Sequence, residues 1–284
     1  MHIANPIYDV VFKYMMEDNK VAKSLISAII GEEILELEFL PQERTRKQII
    51  EEATILTVYR LDFTAKIATP AGYKTVIIEM QKAKLLSDIM RFRRYLGAQY
   101  QNAENVYGEA KNKARQIYCI YFLNYGIDLP ERPVLAVDYG VKDVTTGEEL
   151  PANNEFISSL HHRSWIVQIN QLKSYRRNDL EKLLSIFDQE NRTKDHHILN
   201  VKEDEYPEEY RHIIRQLRAA MEDEDKREEM KLEDEVLEEL RDKERQIDEK
   251  EKTIDRYKQV IDEKDRLIEK LLRENAALLQ QKDK

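Results

Sequence analysis

Residues 60–84, RLDFTAKIATPAGYKTVIIEMQKAK, decide the fold class. β-rich runs lie on both sides of Pro70-Ala71-Gly72, a tripeptide that reverses the chain. Upstream, the stretch 48–70 holds two such runs, and ILELEFL (34–40) alternates with period two. The pattern predicts adjacent antiparallel strands in a meander. Downstream, residues 86–104 change to helical spacing, with Ile89, Met90, Arg93, Tyr95, Leu96 and Tyr100 alternating between a core stripe and a basic one that holds Lys84, Arg91 and Arg94. QIYCIYFLNYG (116–126) is then apolar on both faces, as a strand in the middle of a sheet would be. A strand, a helix and a fully buried strand predict a crossover to a parallel neighbour. Further β-rich segments follow at 133–144 and 163–172, with Thr145-Thr146-Gly147 as a turn between them, and DLEKLLSIFDQ (179–189) is a short helix. The expected class is α/β, a mixed sheet flanked by helices.

Before the meander, Val10, Val11, Tyr14, Met15, Val21, Leu25 and Ile29 form one helical stripe over residues 6–30, and Gly31 stops it. Asp9 and Lys13, four apart, share the outer face and can pair. Composition changes near residue 200. The chain has 284 residues, 36% of them charged, and a net charge of −9. Residues 1–200 are almost neutral, so residues 201–284 carry nearly all of the excess. The last glycine is Gly147 and the last proline Pro207. The division is therefore a globular domain over 1–200 and a charged helical tail over 201–284. In the tail Leu240, Ile247, Ile254, Ile261, Ile268 and then Asn275 recur every seven residues. With these at position a, position d holds Val236, Lys243, Lys250, Tyr257, Lys264, Leu271 and Leu278. β-branched residues at a, with one asparagine among them, favour a parallel two-stranded coiled coil, and hence a homodimer through the C-terminal helix.

Several classes are set aside. No apolar run reaches the ~18 residues that a membrane span needs. The first twenty residues carry acids where a signal peptide needs an apolar stretch. The single cysteine, Cys119, excludes an internal disulfide and a cysteine-based zinc site, and its apolar surroundings read as a buried thiol. A cytoplasmic location fits. Glycine-rich phosphate loops, Walker motifs and nucleophile elbows do not occur. The adjacent pairs His161-His162 and His196-His197 read as loop histidines, because neighbouring side chains diverge.

Chemistry concentrates around Asp62 on one strand and Glu79-Met80-Gln81 on the next. Strand side chains alternate, so Glu79 and Gln81 share a face, and an acid on the hairpin partner can converge on them. Two such carboxylates repel unless a divalent cation lies between them. Oxygen ligands suit Mg²⁺, which acidifies a bound water and bears charge on a phosphoryl oxygen. On the following helix Arg91, Arg94 and Tyr95 are related by i,i+3 and i,i+4 and line one face, either as a solvated basic stripe or as a phosphate clamp.

In order and spacing, NPIYDVVFKYMMED (5–18), YRLDFTAKI (59–67), VIIEMQKAK (76–84) and DIMRFRRYLGAQY (88–100) resemble the PD-(D/E)XK nuclease family transposases. These are also described as Rpn-type recombination-promoting nucleases and putative transposases. The resemblance, over residues 5–190, implies a restriction-endonuclease-like αβββαβ core and cleavage of DNA with Mg²⁺ or Mn²⁺, linked to recombination or mobile elements. It implies that Asp62 and Glu79 hold the metal, with the Met80 carbonyl as a further ligand, and that Arg91, Arg94 and Tyr95 contact DNA. Where the wider superfamily has lysine two residues after the second acid, this chain has Gln81, a form common in the group resembled. Glutamine orients a water but takes no proton near neutral pH. Lys13 on the first helix is the candidate for the missing cation. The alternatives are a catalytically weak or inactive nuclease-fold module for DNA binding or assembly, and a coiled-coil adaptor.

Overall fold

The structure, a computed structural model, describes residues 1–39, 62–70, 72–81, 86–101, 116–151, 156–157, 160–174 and 176–282. The first β-rich run of the stretch 48–70, up to residue 61, lies outside the described residues, as do residues 82–85. In chain order the elements begin with β1 (His2–Ala4), α1 (Asp9–Glu17), α2 (Asn19–Ile30), β2 (Glu36–Phe39), β3 (Asp62–Thr69) and β4 (Gly72–Gln81). Next come α3 (Leu86–Gln101), β5 (Gln116–Leu123), β6 (Val134–Val137), β7 (Val141–Lys142), β8 (Glu149–Leu150) and β9 (Arg163–Gln168). The chain continues with α4 (Asp179–Leu184), β10 (Ile198–Asn200), α5 (Arg211–Glu222) and α6 (Glu224–Lys282).

A mixed six-stranded sheet, ordered β2-β3-β4-β5-β9-β6, organises the fold. β2, β3 and β4 form the expected antiparallel meander, and the hairpin closes with Thr69 opposite Gly72. α3 returns the chain so that β5 runs parallel to β4. β9 is parallel to β5, and β6 pairs with β9 antiparallel at the edge. Among the described residues there are also two small antiparallel pairs, β1-β10 and β7-β8.

The two faces of the sheet bury unequal cores. Val76, Ile78, Tyr118, Ile120, Phe122, Trp165 and Val167 meet residues from α1, α2, α4 and α5 in one large cluster. Phe12 of α1 packs edge-on against Phe122, ring centroids 5.6 Å apart. Ile77, Ile117 and Cys119, on the other face, meet Phe92 of α3 in a smaller cluster. Alternation along β4 and β5 sorts these sets, since successive side chains leave a strand on opposite sides. Cys119 is fully buried, as its apolar neighbours predict.

Three expectations need correction. Residues 6–30 form two helices, not one. Asp18 takes extended backbone angles and its side chain accepts hydrogen bonds from Lys20 N and Val21 N, which starts α2 afresh. Gly31 does end α2, in the left-handed conformation at φ 71°. Asp9 does pair with Lys13, at 2.9 Å, but it is buried at 5% exposure instead of lying on an outer face. Its backbone N–H donates to Glu233 at 2.8 Å. The sequence places the tail from residue 201, whereas one compact unit extends from Met1 to Val236 and the second covers Leu237–Lys284. α5 buries Ile213, Ile214, Leu217 and Ala220, and Met230 in α6 is also buried. The helical run breaks at Asp223, which is extended and accepts a bond from Lys226 N. Among the described residues, no helix is long and apolar enough to cross a membrane.

At the edge of the large core, Lys74 at the start of β4 is buried to 4% exposure. Its ammonium donates to Glu32 Oε2 at 2.6 Å and to the Tyr118 hydroxyl, which in turn donates to Glu32 Oε1 at 2.8 Å. Arg163 stacks over Trp165 at 5.3 Å and reaches Asp138 at 3.2 Å. Burial by itself would raise the Glu32 carboxyl, but the bonds from Lys74 and Tyr118 and the charges of Lys74 and Arg163 outweigh it and hold it below its ordinary 4.5. A depressed carboxylate stabilises the fold above its unfolded pKa, and that contribution is lost as pH falls through the folded value. Glu32→Gln leaves the Lys74 charge without its carboxylate and should cost about 2 kcal/mol at pH 7. In urea titrations the gap from wild type should stay level near neutrality and close below pH 4.5.

Candidate functional site

The β3-β4 ladder places Asp62 directly opposite Glu79. Directly opposed positions of an antiparallel pair share a face of the sheet and are the closest cross-strand neighbours, with Cβ atoms roughly 4.5–5.5 Å apart in such pairs generally. Position 79 lies two residues beyond Ile77, so both acid positions fall on the face that α3 covers. They also fall at the end of the sheet where the parallel strands β4, β5 and β9 finish, the end at which open α/β sheets usually bind ligands. Gln81, the last residue of β4, is two further along on the same face, and Met80 alternates to the other. The side chains of Asp62, Glu79, Met80 and Gln81 are outside the described residues, as are those of Arg91, Arg94 and Tyr95.

α3 follows β4 closely and brings its own residues to this face. Phe92 is buried and packs edge-on against Tyr121, ring centroids 4.5 Å apart, while Tyr121 is the register partner of Glu79 on β5. Leu96 is partly buried in the same cluster. Positions 92 and 96 therefore mark the stripe that faces the sheet, and the helical turn sets 91, 94 and 95 along one flank of it. Arg93 is exposed. At its far end α3 is tied down where the Tyr100 hydroxyl meets His162 Nδ1 at 3.1 Å.

Lys13 lies elsewhere. Its ammonium is on Asp9, and α1 packs on the large-core face of the sheet, opposite the face of positions 62 and 79. It lines a groove with Tyr14, Glu17, Lys226, Glu229 and Leu232. Register sets positions 62 and 79 opposite each other on the face that α3 covers, whereas Lys13 lies on the other face. Among the described residues, no group of three His, Cys, Asp or Glu side chains is placed to hold a metal ion. The histidine pairs behave as loop residues: His161-His162 precede β9 and His196-His197 precede β10. His197 is held between Asp195 and Asp234, each 3.0 Å away, and Asp234 also accepts from the Tyr8 hydroxyl at 2.9 Å.

The sequence reading missed Gln168. Fully buried at the end of β9, it donates to the carbonyls of Leu129 and Arg132 at 2.9 and 2.7 Å, and so shapes the loop beside this end of the sheet. A glutamine within the apolar run RSWIVQI was the available signal, since a buried amide must find partners.

Comparison of the chain with protein-family models, with curated proteins and with solved structures finds no match.

Cys119 lies in the layer under α3 with none of its surface exposed. Burial pushes the Cys119 thiol up to about 12. At pH 8 the native protein should react with a thiol-specific disulfide reagent at least about a hundredfold more slowly than the unfolded chain. Release of one thiol equivalent only on denaturation is the expected readout.

Proposed function

We propose that this chain is a divalent-metal-dependent DNA endonuclease of the PD-(D/E)XK transposase type. The observation that carries the reading is the register opposition of Asp62 and Glu79. Among the described residues, the element order from α2 to β5 is helix, three antiparallel strands, helix, parallel strand, which supports the reading because it is the order the resemblance implies. So does the position of α3, whose Arg91, Arg94 and Tyr95 follow within one crossover of the acids.

Two carboxylate residues at opposed strand positions supply hard oxygen donors, a set that fits Mg²⁺ or Mn²⁺. Asp62 and Glu79 would hold the ion, with the Met80 carbonyl as a further donor. Bound there, such an ion supplies Lewis acidity towards a phosphoryl oxygen and an acidified water. Gln81 would orient a water through its amide and would remove no proton. Arg91 and Arg94 hold phosphate oxygens by paired N–H donors, and Tyr95 adds a hydroxyl contact. Lys13, engaged by Asp9 in the opposite layer, takes no part in this reading.

The residue at position 81 favours a second reading. Glutamine where the wider superfamily has lysine fits a nuclease fold retained for DNA binding or assembly. Plasmid nicking with Mg²⁺ and with Mn²⁺ separates the two. The wild type should nick, and Asp62→Ala and Glu79→Ala should each lose activity by about a hundredfold or more, the scale of removing an electrostatic catalytic group. Equal nicking by all three proteins overturns the assignment. Mn²⁺ binding in calorimetry that Asp62→Ala abolishes, without cleavage by the wild type, establishes the second reading.

A further inference from the structure

The second compact unit, Leu237–Lys284, is the part of α6 beyond Val236 and carries an exposed apolar stripe. Ile247, Ile254, Ile261 and Ile268, seven apart, each expose half or slightly more of their surface. Tyr257 and Leu271, on the alternate heptad position, are 65% and 49% exposed. A stripe of this length is too regular for scattered surface hydrophobics and has the seam spacing of a coiled coil.

We propose that the occupant of this stripe is a second copy of the same helix, parallel and in register, and that the residues following each d position select it. Position d would bring Lys243, Lys250 and Lys264 against their own copies, which like-charge repulsion opposes. Each of these lysines is followed at e by an acid: Glu244, Glu251 and Asp265. Where d is leucine, at Leu271 and Leu278, e is leucine again, at Leu272 and Leu279. In a parallel two-stranded coil the d side chain of one helix packs beside d and e of the other, so charge meets opposite charge and apolar meets apolar across the seam.

The ion pairs within the helix leave these lysines available. They link Asp242 to Arg245 and Asp248 to Lys252 on the outer face, and Asp255 to Lys258, which holds position e after Tyr257. Among the described residues, Lys243, Lys250 and Lys264 have no ion pair in the helix. Asn275, at a, opposes itself only when both strands run the same way without an offset.

The test uses the full chain. Its mass by light scattering should be twice 33.8 kDa. Lys250→Cys and Asn275→Cys, made separately, should each cross-link to the same position of the second copy on mild oxidation. Wild type is the blank, because Cys119 is fully buried. An antiparallel pair has one crossing point and cannot cross-link at both positions. The triple variant Lys243→Glu/Lys250→Glu/Lys264→Glu should self-associate about tenfold or more weakly, as should Glu244→Lys/Glu251→Lys/Asp265→Lys. Mixing the two should restore association as a heterodimer. A monomeric or trimeric mass, cross-linking at one position only, or failure of the mixture to associate overturns the proposal.

Discussion

β4 is held on both edges at once, antiparallel to β3 and parallel to β5, and the rest of the compact unit depends on that double pairing. With a period of two, a slip of one residue would exchange every side chain between faces. The present register sends Val76 and Ile78 into the large core and Ile77 into the layer under α3. The same ladder sets Asp62 opposite Glu79. Core packing and the candidate site are thus two consequences of one alignment, and neither can shift without the other.

Unequal faces give the sheet a division of labour. The larger cluster draws on α1, α2, α4 and α5 and excludes water from most of the apolar surface. The smaller one leaves α3 attached through Phe92 and Leu96, on the face that also holds positions 62 and 79. At the opposite end of β4, Lys74 is one charged residue that the large core has to accommodate. Burying an ammonium costs several kcal/mol unless it is paired, and Glu32 and Tyr118 supply the pairing. The three come from α2's C-terminal side, β4 and β5, so the network also clamps the helical layer to the sheet.

Local pattern was a good guide where one physical signal dominated. The hairpin about residues 70–72, the fully buried β5 and the buried Cys119 follow from alternation and apolar runs, and all three are present. The break at Asp18 did not show in the helical stripe, because α1 and α2 bury residues in the same core and a 3.6-residue spacing continues through one extended residue. The break at Asp223 falls in the stretch read as a helical tail. An aspartate able to cap the next helix was the signal at each site. Asp9 was misjudged because its cover comes from Glu233, 224 residues away, and no local periodicity reports such a contact.

The residue order by itself determined the first two helices' apolar stripe, the meander, the crossover to a parallel strand and the two acid positions, because these depend on interactions between near neighbours in the chain. Tertiary structure alone decided which layer each helix joined. It moved α5 and the first turns of α6 into the compact unit, put Lys13 on the face away from Asp62 and Glu79, and satisfied Lys74 and Gln168 in the interior. The physical reason is that burial and charge pairing act between residues close in space, whatever their separation along the chain.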